Sequence, residues 1–386
     1  MIKIAVLAGA GGMGSVIAKD LEQSGIDKII VADIDLAKAQ KVAKQLGSRC
    51  MAKKVDLANI ESVTSCISDA DAVANAGWYE YNLIVTQAAI NSQVPYVDLG
   101  GLYHMTRRQL RLHKNALAQR CTIVLGGGES PGLTNVLAKL GSSKLDATGT
   151  IRIRVRSREL SGSETRILSF PFAVGTVLDE LSMKPIVYMN GKYRKMPPLS
   201  GEERVNFPKP VGVNTCHYSL HSELATLPTT IQGVRNVDLK LGFPAEFLRT
   251  IKPLINLGLL SSERITIRGT SISPRDFLVA HFSSKPQHYE PYRHIAIRVI
   301  VQGRKDGSSE ERIYETLAGP KNEWGLKNGT AFLTGIVASI IVQMLANRKI
   351  TKKGVLAPEE CVEAGALLAD LKSRGVHVKE RVVRPS

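Results

Sequence analysis

A regular alternation of apolar runs with helix-patterned segments constrains this chain more than any other feature. "IKIAVL" (2–7) reads as a buried strand, and residues 12–24 place Met13, Val16, Ile17 and Leu21 at helical spacing. "KIIVAD" (28–33) is a second strand, followed by a helix that Asp35 opens as N-cap and Gly47 stops. The same rhythm continues. "CMAKKVDL", "DAVANAG" (71–77), "PYVDLGG" (95–101) and "CTIVLGGG" (121–128, a final strand) are separated by the helical stretches "IESVTSCISD", "YNLIVTQAAINSQ" and "MTRRQLRLHKNALAQR". Strands that alternate with helices of this length predict a parallel, doubly wound α/β sheet, a Rossmann domain over residues 1–128.

The pattern then changes. "TIRIRVRSREL" (150–160) alternates strictly, Ile151, Ile153 and Val155 on one face, Arg152, Arg154 and Arg156 on the other. Segments 186–195, 237–243, 263–272 and 292–303 also read as strands. A sheet-rich second domain over 129–325 fits, and 326–386 is expected to return to the first domain. At 386 residues the chain is too long for one ordinary core. Its stretch 330–347 is very apolar but contains Thr, Ser and Gln, and reads as a buried helix rather than a membrane span.

The turn after the first strand, "GAGGMG" (9–14), is Gly-x-Gly-x-x-Gly opening a helix. The first glycine is expected to permit a sharp turn, the second to let a pyrophosphate approach the backbone, the third to pack helix on strand. N–H groups around Gly11, Gly12, Met13 and Gly14, with the helix dipole, favour an anion. The second strand ends in Asp33, 19 positions after Gly14, placed to accept both ribose hydroxyls and to repel a 2′-phosphate. The cofactor expected is therefore NAD rather than NADP. Asp56, after the third strand, either lies near the adenine or caps the helix at 59–67. Asn75 and Ala76 close the fourth strand, where such sheets line their ligand crevice.

Further candidates sit at later strand ends. Asp98 and His104 flank Gly100-Gly101 and are candidates for ammonium binding and proton transfer; the alternative for Asp98 is turn capping. Tyr79 either walls a nicotinamide pocket or packs in the core. His217 and His221, at helical spacing beside Cys216 and Glu223, are open to metal binding, substrate contact or a structural role; nothing else completes a metal site, and none is expected. The arginine row grips substrate carboxylates or forms a solvated face or dimer rim.

Composition narrows the partners. The net charge is +16, yet basic residues are spread with no run of five and aromatics are only 5%, which argues against nucleic acid. Five scattered cysteines without CxxC spacing suggest neither a disulfide framework nor structural zinc. No signal-peptide layout precedes the first strand, so a cytoplasmic protein is expected.

"YVDLGG" (96–101), "GGGESPGLTN" (126–135), "CHYSLHSELATLP" (216–228), "VQGRKDG" (301–307) and "KNGTAFLTGIVASIIVQML" (327–345) come in an order that resembles the saccharopine dehydrogenase superfamily, most closely its lysine 6-dehydrogenase branch. The resemblance implies an N-terminal Rossmann domain, an inserted mixed α/β second domain, a C-terminal helix that returns to the cofactor domain, and a homodimer built largely through the second domain. It also implies NAD-dependent oxidation of the ε-amine of L-lysine to allysine, which cyclises to piperideine-6-carboxylate. Ser130 stands where similar saccharopine reductases carry an acid, and Asp33 where NADP-dependent members carry a basic residue; both count against saccharopine. "HYSLHSE" departs from the lysine branch, where that stretch is smaller and richer in glycine. The alternatives are a saccharopine or carboxynorspermidine dehydrogenase, and an NAD(H)-sensing regulator, which lacks support from any helix-turn-helix pattern or basic tail.

Overall fold

The computed structural model describes residues 1–160, 170–284 and 292–384. The first sheet is laid down in order by β1 (Lys3–Leu7), α1 (Gly12–Gln23), β2 (Lys28–Asp33), α2 (Leu36–Leu46), β3 (Cys50–Lys54), α3 (Ile60–Ile67), β4 (Ala72–Asn75), α4 (Asn82–Asn91), β5 (Tyr96–Asp98), α5 (Tyr103–Leu110), α6 (His113–Ala118) and β6 (Thr122–Val124). The segment read as one helix from 105 to 120 is thus two, broken between Leu110 and His113.

The second part follows with α7 (Leu133–Ser143), β7 (Ala147–Glu159), α8 (Val174–Ser182), β8 (Ile186–Met189), β9 (Lys192–Lys195), β10 (Glu203–Asn206), β11 (Val213–Tyr218), α9 (Leu227–Thr230) and β12 (Asn236–Gly242). Then come α10 (Ala245–Asn256), β13 (Ile265–Ile267), β14 (Thr270–Ile272), α11 (Pro274–Ser284), β15 (Arg293–Lys305) and β16 (Ser308–Ala318). Segments 186–195 and 263–272, each expected as one strand, are two hairpins. The chain ends with α12 (Gly329–Ala346), β17 (Gly354–Leu356), α13 (Pro358–Cys361), α14 (Ala364–Ser373) and β18 (Val378–Val383).

The first sheet is wholly parallel, in the order β17-β6-β5-β4-β1-β2-β3. β6 is therefore not its final strand: β17, from the far C-terminus, pairs beyond it. β1 is apolar along its length because both of its faces are covered. Ile4 and Val6 point into the core shared with α1 and α12, and Ala5 and Leu7 into the core behind α3 and α4. The second sheet runs β10-β11-β12-β7-β15-β16-β18, with β8 and β9 attached at β12. β18 also corrects the sequence expectation, since the tail returns to both sheets: β17 to the first, β18 to the second.

Within the arginine row of β7, Arg154 and Arg156 are buried rather than solvated, while Arg152 is half-buried and Arg158 exposed. Arg154 is 1% exposed and is held by Asp238 at 2.5 Å and Glu203 at 2.8 Å. Arg156 is buried as well. A guanidinium brought that far from water needs such partners, and the strict alternation alone does not reveal whether a second layer covers the polar face. All five cysteines are free thiols.

α12 joins the two halves. Among the described residues it is the one helix long and apolar enough to cross a membrane, and 89% of it is buried inside the fold. Its side chains share one core with β1 and α1 on one side and with Ile153, Ile297 and Val299 of the second sheet on the other. A helix apolar all round is expected in such a position. Asn328 starts it by accepting from the N–H groups of Thr330 at 3.1 Å and Ala331 at 3.3 Å. Gly335 lets it approach α1: a Cβ there would lie 2.6 Å from Val16 Cγ1. Gly335→Leu is expected to cost about 2–3 kcal/mol through overpacking, read as a lower urea midpoint at unchanged slope.

Candidate active site

The glycine turn has the geometry of a dinucleotide cradle. Gly9 is required because a Cβ would sit 2.8 Å from the Val6 carbonyl and 3.0 Å from Val31 Cγ1. The left-handed residue of the turn is Ala8, at φ 52°, not the first glycine. At Gly14 a Cβ would lie 2.2 Å from the Ala8 carbonyl, so α1 packs directly on the turn. Gly11 is different, for a Cβ there meets only Ala8 O, at 3.2 Å. The space beyond Gly11 is open, and no side chain caps the helix. Its first N–H groups have no intrahelical acceptor and suit a phosphate. Asp33 lies against this turn, Oδ2 accepting from Ala10 N–H and Oδ1 from Asp35 N–H, both at 3.1 Å. Asp56 is exposed and closes a small turn onto Ala58 N–H at 2.9 Å; the cap of α3 is Asn59.

Beyond the turn a cleft of about 720 Å³ opens between the two sheets. Met13, Ala76, Gly77 and Tyr79 line its first-domain wall, and Arg156, Glu180, His221 and Arg293 its second-domain wall. Glu129 and Ser130, between β6 and α7, also face it.

Asp98 and Asn75 do not reach the cleft; they build its frame. Asp98 is 0% exposed. Its Oδ1 accepts from Gly126 N–H at 2.7 Å and Gly100 N–H at 2.8 Å, and its Oδ2 from Gln109 Nε2 at 2.7 Å and the Tyr96 hydroxyl at 3.2 Å. Burial pushes its pKa up against these four bonds. In place of the proton-transfer role expected for Asp98, the structure gives it a positioning one, since it lies outside the cleft lining with both oxygens engaged. Asn75 donates to Asn82 Oδ1 and to the Tyr96 hydroxyl, each at 3.1 Å, and accepts from Gly77 N–H at 3.0 Å. Gly100 and Gly126, both at positive φ, clasp Pro131, and a Cβ on either would come within 2.6 Å of its ring.

His104 is exposed on α5, its ring 6.0 Å from that of Tyr79, and it does not line the cleft. Tyr79 does line it, but its hydroxyl is spent on Asp179 at 2.7 Å. Asp179 is in turn held by Arg275, Nε to Oδ1 and Nη2 to Oδ2, each at 2.5 Å. This buried clasp ties the loop after β4 to α8 of the second domain.

His217 and His221 are not on a helix. His217 lies in β11 and His221 follows in extended backbone, so the spacing argument for a metal fails. Among the described residues no group of three His, Cys, Asp or Glu has metal-binding geometry. His221 belongs instead to a buried acid–base cluster. Its Nδ1 is hydrogen-bonded to Glu223 Oε2, and its Nε2 stands 3.7 Å from Glu180 Oε1. Glu223 Oε1 accepts from Ser130 Oγ at 2.6 Å and Thr134 Oγ1 at 2.8 Å. Burial opposes charge on both members of the pair, and their mutual attraction outweighs it. The histidine is raised to about 9, with help from Glu180 and Glu129, and Glu223 is lowered. Burial raises Glu180 to about 8 against the pull of His221, and it also pushes Glu129 up. Within the cluster, burial favours the neutral form of Glu180 and Glu129, and the attraction between His221 and Glu223 favours their charged forms.

Glu129 and Glu180 escaped the sequence reading, which named Glu223 only as a neighbour of the two histidines and Arg156 only as one of a row. Glu129 and Glu223 sit inside stretches already singled out, "GGGESPG" and "HSELA", but Glu180 lies in an ordinary amphipathic helix that carries no motif. Arg156 donates to Asn214 Oδ1 at 2.9 Å and the Gly242 carbonyl at 3.1 Å, with no carboxylate partner among the described residues. Burial lowers its pKa to about 10, so it stays charged at neutral pH.

The sequence model of the saccharopine dehydrogenase NADP binding domain matches residues 5–124, and that of the saccharopine dehydrogenase C-terminal domain matches 128–376. The chain belongs to the saccharopine dehydrogenase family. It is 28% identical over 138 residues to the NADP(+), L-glutamate-forming saccharopine dehydrogenase of Schizosaccharomyces pombe, covering 35% of this chain and 29% of that one. It is 37% identical over 71 residues to the quinate/shikimate dehydrogenase (NAD(+)) of Corynebacterium efficiens, covering 18% and 25%. The chain thus spans less than a third of the length of the curated relatives it matches. The solved apo saccharopine dehydrogenase (L-Glu forming) from Saccharomyces cerevisiae has the same fold, with a TM-score of 0.76 at 18% identity over 99% of this chain and 100% of that one. Membership makes the first domain of this family member a nicotinamide dinucleotide-binding domain.

The open space at Gly11 generates a test. Gly11→Val keeps an allowed backbone, φ −75°, but fills the approach to the helix N-terminus. The dinucleotide dissociation constant is expected to rise at least a hundredfold, about 2.7 kcal/mol, with the thermal midpoint changed little; calorimetry and a melting curve check both.

Proposed function

We propose that this chain is an NAD-dependent oxidoreductase acting on the CH–NH group of an amino acid, with the ε-amine of L-lysine as the group oxidised. The observation that carries this reading is the buried cluster of His221, Glu223, Glu180 and Glu129, opening on the same cleft as Met13 and Ala76 beside the glycine turn. Oxidation of an amine needs the carbon within hydride reach, a group that removes a proton from nitrogen, and a grip on the remote end of the substrate. The bound nicotinamide supplies the hydride acceptor. Overall, R–CH2–NH3+ and NAD+ give R–CH=NH2+, NADH and a proton; water then releases the aldehyde and ammonium. The carboxyl-rich wall suits the ammonium, and Arg156 suits the carboxylate. Lining residues Leu99, Val155 and Leu241 suit the methylene chain between them.

Asp33 supports NAD. It closes β2 against the glycine turn, where a 2′-phosphate would meet its charge. NAD(H) is expected to bind at least tenfold more tightly than NADP(H), about 1.4 kcal/mol. Asp33→Ser should narrow the gap; equal binding of the two cofactors by the unaltered protein would contradict this reading.

A second reading is oxidation of saccharopine or a related opine, favoured by Arg293. Like Arg156 it lines the cleft, while also reaching Glu159 at 3.4 Å, and two guanidinium groups match a substrate with more than one carboxylate. A panel of L-lysine, other amines, saccharopine and related opines, followed at the absorbance of NADH, separates the two. L-Lysine is expected to yield NADH with ammonium release in alkaline buffer. NADH from an opine with none from lysine at any pH would replace the first reading by the second.

A further inference from the structure

We propose that Glu180, and not His221, is the group that takes the proton from the substrate ammonium. The inference rests on the reading of the cleft as an amine-oxidising site. A histidine in a cleft is the usual choice for proton transfer, but both nitrogens of His221 are already answered by acids. Nδ1 bonds Glu223 Oε2, whose partner oxygen is fixed by Ser130 and Thr134, and Nε2 faces Glu180 Oε1 at 3.7 Å. A ring so flanked is an imidazolium, and an imidazolium has no lone pair with which to accept a proton.

Glu180 is placed to do so. It lines the cleft, is 3% exposed, and its Oε2 has no hydrogen-bond partner among the described residues. A buried carboxyl oxygen left without a donor is costly unless a ligand completes it. The adjoining Asp179 is held by Arg275 and by the Tyr79 hydroxyl, which fixes this turn of α8 against the first domain. Glu129, the second carboxyl with an unpartnered Oε2, faces the cleft from the loop before α7 and is 7% exposed.

The proton count closes. An incoming R–CH2–NH3+ adds a positive charge, and Glu180 answers by releasing its own proton to solvent. The carboxylate then accepts one N–H proton, leaving R–CH2–NH2 with the lone pair needed to form the C=N bond as hydride leaves carbon. The charged and titratable groups facing Glu180 are His221 and Glu223 from the turn after β11, Glu129 from the loop before α7, and Asp179 on its own helix with Arg275 and Tyr79 behind it. Burial, partly offset by His221, puts its ionisation near 8. Only the ionised form accepts a proton, so turnover should rise with pH through about 8 and level off above it. A limb set by free lysine's own amine would instead centre near 10.4.

The test uses the substrate identified by the panel and the full chain loaded with NAD. Glu180→Gln keeps the shape and loses the base. It should lower kcat at least a hundredfold and abolish the limb near 8, with the NAD dissociation constant unchanged within about twofold. Glu180→Asp, which restores a carboxylate, should recover part of the rate together with a pH limb, and it serves as the test should the glutamine variant fail to fold. His221→Gln should keep a limb displaced upward, since it removes the cation that favours ionised Glu180. A limb that persists in Glu180→Gln and disappears in His221→Gln would overturn the assignment while leaving amine oxidation in place. Failure of the unaltered enzyme to oxidise any amine or opine would instead overturn the reading of the site, and the role of Glu180 with it.

Discussion

Asp98 makes four hydrogen bonds in a place from which water is excluded, and the geometry of the cleft rests on them. Two of those bonds hold the N–H groups of Gly100 and Gly126, which close on Pro131 from either side and so fix the loop that carries Glu129 and Ser130. A third runs through Tyr96 to Asn75 and from there to Gly77 on the first-domain wall. The ends of β4, β5 and β6 therefore form one hydrogen-bonded unit. The four bonds to Asp98 hold these polar side chains at fixed positions beside a nonpolar core.

That unit needs a wall to face, and α12 supplies the connection. Because its side chains enter a core shared by both sheets, the second sheet is held over the C-terminal ends of the first. Open parallel sheets bind ligands at that end. The Tyr79–Asp179–Arg275 clasp adds a polar tie across the same seam, beside the cleft that Tyr79 lines. A nonpolar seam fixes distance and a hydrogen-bonded tie fixes orientation. Together they give the facing groups of the two walls a definite geometry.

The first sheet was legible because its signals are local. Apolar strand runs, helix caps and the glycine turn each act within a few residues, and β1, α1 and β2 lie where their pattern puts them. The dinucleotide cradle was legible for the same reason, although the strained residue of the turn proved to be Ala8. What failed was whatever depends on distant chain. Arg154 looked solvent-facing from its alternation, and only Asp238 and Glu203 on other strands explain its burial. Asp98 looked like an acid at a ligand-lining strand end, and only Gln109 and Gly126 show that its lone pairs are spent. Glu180 became visible once folding set it opposite His221, 41 positions later in the chain. β17 and β18 were missed because short strands at the end of a chain take their pairing from partners more than 60 residues away.

The charge balance of the chain and that of the cleft run in opposite directions. Lys and Arg outnumber Asp and Glu by 51 to 35, so the long-range field draws in anions, the dinucleotide and any carboxylate substrate among them. The cleft nevertheless places Glu129, Glu180 and the Glu223–His221 pair beside Arg156. On the amine reading, this division is itself a selection device. A carboxylate without an ammonium would leave the unpartnered oxygens of Glu129 and Glu180 unanswered. An amine without a carboxylate would leave Arg156 without its counter-charge. Buried groups that lose a partner penalise a wrong ligand far more than a missing methylene does. Bulk attraction can therefore stay indiscriminate, because the discrimination is made where water has been removed.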